Sequence, residues 1–83
     1  MTFDDLKNML KIGSEFSTGG GQFRVTDIGT RTVTAIRVDR VELGDGTVLD
    51  REAAEAAGWF NGPSYAVAET VFDEDDYEAI EPL

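Results

Sequence analysis

Nine glycines punctuate this 83-residue chain, at positions 13, 19 to 21, 29, 44, 46, 58 and 62, and they cut it into segments too short for long helices. Between them lie runs rich in β-branched and aromatic residues, such as Gln22-Phe23-Arg24-Val25-Thr26-Asp27-Ile28 and the stretch from Thr32 to Val38. These read as short strands joined by tight turns. Thr18-Gly19-Gly20-Gly21 follows Glu15-Phe16-Ser17 and predicts the tip of a first hairpin, because glycine takes positive φ without a Cβ clash. Ile28-Gly29-Thr30-Arg31 predicts a second, with Gly29 at the first central position of a type II′ turn. Val41-Glu42-Leu43 and Thr47-Val48-Leu49, flanking Gly44-Asp45-Gly46, predict a third and shorter one.

Helical signals are few and local. Thr2 is placed to cap a helix reaching Leu10, with Asp5 in a capping-box position, Phe3, Leu6 and Leu10 at helical spacing, and Gly13 as the stop. Asp50 similarly caps Arg51 to Ala57, which Gly58 ends. Tyr65 to Phe72 reads as the last strand, with Tyr65, Val67 and Val71 on one face. Asp73 then caps a short terminal helix carrying Tyr77 and Ile80. The sum is an α+β domain over residues 1–83, a small antiparallel sheet of four to five strands with an N-terminal helix and one or two short helices. Periodicity leaves two closures open, an SH3-like partial barrel, which we prefer, and an open sheet covered by a helix.

Hydrophobic residues make up 41% of the chain and cysteine is absent, so folding rests on packing without disulfides or thiolate metal sites. Charge is distributed unevenly. Residues 1–38 carry four acids and five bases, for +1, and the remainder carries thirteen acids against Arg40 and Arg51, for −11, within a total of −10. Such a field repels nucleic acid and anionic lipid and attracts basic surfaces. No basic leader or long apolar run is present, so the expected location is the cytoplasm of a bacterial host, with no membrane contact.

Histidine is also absent, which removes the usual general base and the commonest metal ligand, and we expect no enzymatic activity, cofactor or metal. Gly19-Gly20-Gly21 lacks the lysine and the following helix of a phosphate-binding loop. Asp73-Glu74-Asp75-Asp76 lacks the glycine turn and distal glutamate of an EF-hand. One cap and one or two acids would satisfy a helix start. The surplus, with Glu69 and Glu78, forms a one-signed patch whose carboxylates imitate a row of phosphates. Trp59 and Phe60, adjacent at a Gly-Pro turn, and Tyr77 within the acidic run are candidate apolar anchors.

Two segments, Arg24 to Ile36 and Gly62 to Glu69 with Val71-Phe72-Asp73-Glu74, resemble stretches of small uncharacterised acidic proteins of proteobacterial genomes and mobile elements. In size and acidity the chain is also similar to anti-CRISPR proteins, phage-encoded inhibitors that often occlude a nuclease's nucleic-acid-binding surface. The second resemblance implies a protein-binding inhibitor, acting as monomer or homodimer, whose partner is the basic surface of a larger protein such as a CRISPR-Cas effector. Its contact residues would be Glu69, Asp73, Glu74, Asp75, Asp76, Tyr77, Glu78, Trp59 and Phe60. The alternative is a structural or housekeeping module that self-associates. A third reading places Arg24, Arg31 and Arg37 in a basic stripe that touches nucleic acid.

Overall fold

The computed structural model describes residues 2–83. Helix α1 (Phe3–Met9) is capped at both ends of its first turn: the Thr2 hydroxyl accepts from the Asp5 amide, and the Asp5 carboxylate accepts from the Thr2 amide. That reciprocal arrangement satisfies two otherwise orphaned donors. Strands β1 (Glu15–Thr18) and β2 (Gly21–Ile28) form the first hairpin, with Phe16 opposite Phe23. Gly21 has a φ of +146°, a conformation that favours glycine, and a Cβ there would meet the Arg37 guanidinium at 2.7 Å and displace it.

β3 (Val33–Arg37) pairs with β2 across the second hairpin, and a bulge at Thr26 re-aims the strand between Val25 and Asp27. Gly29 is outside the positive-φ set, so the turn is not the type II′ turn expected there; a four-residue loop closes through a Gly29 amide to Thr32 carbonyl bond of 2.9 Å. β4 (Arg40–Glu42) and β5 (Val48–Asp50) form the third hairpin, and α2 (Arg51–Ala56) follows directly, its Asp50 cap accepting from the Ala53 amide at 2.8 Å. β6 (Glu69–Phe72), a 3₁₀ turn (Tyr77–Ala79) and β7 (Glu81–Pro82) complete the chain.

The main sheet is open, in the order β6-β3-β2-β1-β7, and β4-β5 stands apart as a two-stranded sheet. No barrel closes. The reason is local: after the Val38 amide bonds the Gln22 carbonyl, Arg37 clasps Asp39 through two hydrogen bonds of 2.7 and 3.0 Å, and the chain leaves the sheet. β4-β5 therefore covers a face instead of extending an edge.

Each sheet face buries its own apolar cluster. Leu6, Leu10, Phe16, Phe23, Val25, Val33, Ala35, Phe72, Tyr77 and Ile80 form one, with the Phe72 ring set edge-on to Phe16 and Phe23 at 5.2 and 5.1 Å. Ile36, Val38, Val41, Ala54 and Phe60 form the other, beneath α2 and the third hairpin. Two further expectations need correction. The last strand begins at Glu69, not Tyr65, because β3 ends at Arg37 and the ladder runs out of partner; Tyr65 and Val67 pack on the second cluster instead. The terminal helix is a single 3₁₀ turn that Asp73 does not cap. Tyr77 and Ile80, three residues apart, both enter the first cluster, and three-residue spacing suits a 3₁₀ turn.

Candidate functional site

Every one of the five arginines is held by an acid of the same chain. Arg24 reaches Glu15 at 3.2 Å and Glu55 at 2.9 Å, and Arg51 reaches Glu15 at 2.7 Å, which ties α2 to the sheet. Arg37 binds Asp39 at 2.7 Å, Arg40 binds Glu42 at 3.0 Å, and Arg31 binds Glu74. The Arg51 guanidinium, then Arg24, holds the Glu15 carboxyl below its usual range against the opposing effect of burial, and Arg37 does the same for Asp39. The geometry disposes of a basic stripe. Arg24 lies opposite Ile36 in the ladder and Arg37 opposite Phe23, so the two side chains emerge on opposite faces of the sheet, Arg24 lying over the Phe60 ring at 5.9 Å.

The acids expected at the site fall into two groups separated by β6. Glu69, exposed at the start of that strand, accepts from the Thr26 hydroxyl at 2.8 Å. Asp73, Glu74 and Asp75 are exposed just beyond its end, Asp76 is half-buried, and Glu78 is exposed on the 3₁₀ turn. The loop is ordered by its own carboxylates: Asp76 accepts from the Asp73 amide and Asp73 from the Asp75 amide, each at 3.0 Å. Among the described residues no group of three or more acids converges as metal ligands.

The aromatic anchors require correction. Phe60 is only 5% exposed and Tyr77 only 3%, so both are spent on the two cores. The Tyr77 hydroxyl donates to the Arg31 carbonyl, and burial pushes its ionisation above the usual tyrosine range. Trp59 is half-buried and lines a cleft of about 580 Å³ with Phe23, Arg37, Arg40, Val41 and Val67. The arginines of that cleft are already occupied by Asp39 and Glu42.

Sequence reading missed the edge of β6. Among the described residues this strand ends the main sheet and pairs with β3 alone. The Val38 amide bonds the Gln22 carbonyl, and backbone groups alternate direction along an antiparallel strand, so Thr34 and Ile36 face β2 while Val33 and Ala35 face β6. By the register, Thr70 and Phe72 answer Ala35 and Val33. The amides and carbonyls of Glu69 and Val71 therefore point off the sheet. Val71 is also 59% exposed.

An open antiparallel sheet clad on both faces, an exterior whose arginines are internally matched, and a free strand edge between acidic residues define a small α+β module. Comparison with known proteins gives no matching family model, no matching curated protein and no matching solved structure, so the functional reading rests on this geometry. Among the described residues no helix is long and apolar enough to cross a membrane.

Proposed function

We propose that this chain is a non-enzymatic protein-binding inhibitor of anti-CRISPR type, whose acidic face, Glu69 with Asp73 to Asp76 and Glu78, docks on the basic nucleic-acid-binding surface of a larger effector. One observation carries the reading. The fold matches each arginine to an internal acid, while Glu69, Asp73, Asp75, Asp76 and Glu78 form no ion pair with a described residue. The field presented to a partner is thus acidic at close range as well as in total, and such a field raises the encounter rate with a basic surface and repels competing nucleic acid. Of the three aromatic candidates, Trp59, which lines the cleft, is the one that is not buried.

The test is capture from lysate of a host carrying CRISPR systems, comparing the wild type with a variant carrying Asp73→Asn, Glu74→Gln, Asp75→Asn and Asp76→Asn. We expect the wild type to retain an effector complex, with affinity falling roughly tenfold or more from low to physiological salt. The folded variant should lose it. Capture of the same complex by both proteins, unchanged by salt, refutes electrostatic docking.

The free edge of β6 favours a second reading, a structural module that self-associates by edge pairing. Size-exclusion chromatography with light scattering tests it, since a stable homodimer favours self-association and a monomer refutes it.

A further inference from the structure

The β6 edge and the acids around it form one surface. The strand spans only four residues, about 13 Å at the usual rise, and carries Glu69 at its first position with Asp73 just past its last. Glu69, Val71 and position 73 share one side of an extended chain. Between the charges, the backbone of Glu69 and Val71 offers two donors and two acceptors outward, and the exposed Val71 side chain offers an apolar contact. The Asp73 amide, next in the alternation, is already satisfied by Asp76, so the free edge ends there.

We infer that β6 accepts an extended, basic segment of a partner protein as an additional strand, with its main chain bonded to Glu69 and Val71 and its lysine or arginine side chains set against Glu69 and Asp73. This deepens the proposed reading and rests on it, because the partner is the same basic protein and the inference specifies how it attaches. Strand addition draws affinity from main-chain bonds and specificity from alternate side chains. Charge selects the occupant. Were a second copy to pair antiparallel through these outward groups, Val71 would stand opposite Val71 and Glu69 opposite Asp73 of the other copy, or Glu69 opposite Val71 with Asp73 on its diagonal, acid beside acid between chains of −10 each. A basic strand meets the opposite sign at both ends.

The probe is a capped lysine-threonine-valine-threonine-lysine pentapeptide, titrated into isotope-labelled protein at low salt and followed by amide chemical shifts and hydrogen exchange. The Glu69 and Val71 amides should shift and become protected. Val71→Pro, which deletes an outward donor and leaves the β3 ladder intact, should weaken binding at least tenfold, as should N-methylation of the peptide's valine. The variant neutralised from Asp73 to Asp76 should also bind more weakly and with a flatter salt dependence. Equal binding by wild type and Val71→Pro, lost only in the neutralised variant, overturns strand addition and leaves the acidic-face reading standing. No binding by the wild type overturns the inference and leaves the acids as guards against edge pairing, while effector capture still decides the parent reading. A dimer whose Glu69 and Val71 amides are protected without peptide overturns the choice of occupant in favour of a second copy.

Discussion

Thr70→Pro and Val71→Pro are adjacent substitutions in one edge strand for which the ladder demands different outcomes. Thr70 lies opposite Ala35, which is wholly buried, and its amide faces that residue. Proline at 70 removes the donor, leaves a buried carbonyl without a partner and presses its ring on the neighbouring strand, a cost of about 2–4 kcal/mol. A domain of this size has roughly 4–12 kcal/mol in all, so the melting temperature should fall by roughly 10–25 °C. Val71 contributes no ladder bond and its side chain is mostly exposed. Proline there gives up a surface contact and gains about 0.4–1 kcal/mol by restricting the unfolded chain, so stability should stay within about 1 kcal/mol of wild type. Urea unfolding followed by fluorescence of Trp59, the single tryptophan and half-buried on the second cluster, reads both variants. Equal losses, or a greater loss at 71, refute the assignment of which β6 groups face outward, and the strand-addition argument falls with it.

Two other outcomes follow from groups inside the fold. Glu15→Gln, which removes the carboxylate shared by Arg24 and Arg51, should cost about 1–2 kcal/mol in urea unfolding. Because the folded state lowers the Glu15 pKa, its contribution is present above the ordinary glutamate range and is lost as pH falls through the lowered value; the variant should show a flatter stability curve there, and an unchanged curve sinks the assignment. Tyr77→Phe should cost about 0.5–1.5 kcal/mol through its bond to the Arg31 carbonyl. The raised Tyr77 pKa has the opposite sign, contributing stability in full below the ordinary tyrosine value and losing it as pH rises through the raised one, so alkaline unfolding should come later in the variant.

Much of this architecture was written locally. The Thr2 and Asp5 capping box, the Asp50 cap and Gly58 at a φ of +80° rest on neighbours within four residues, and all three stand where the sequence places them. The hairpins likewise follow from glycine and β-branched residues within a few positions of each turn. The acidic run was legible too, since charge needs no fold to be counted. What the run faces was not.

The errors lie where a residue's fate depends on distant partners. Phe60 and Tyr77 have the composition of interface anchors, yet α2 and the third hairpin enclose one and α1 with the first cluster encloses the other. An alternating pattern from Tyr65 suited a strand, and only the length of β3 limited pairing to Glu69–Phe72. The arginines looked like a possible stripe until the register put Arg24 and Arg37 on opposite faces. By itself, then, the chain determined the places of its hairpin turns, the caps at Thr2 and Asp50, most strand-forming segments and its acidity, because these depend on backbone sterics, short-range hydrogen bonds and summed charge. Tertiary structure alone decided that the sheet stays open, that each arginine finds an acid, and that β6 ends the sheet with Glu69 and Val71 facing outward. Those properties arise from pairing between segments remote in sequence, where a one-residue change of register would exchange buried groups for exposed ones.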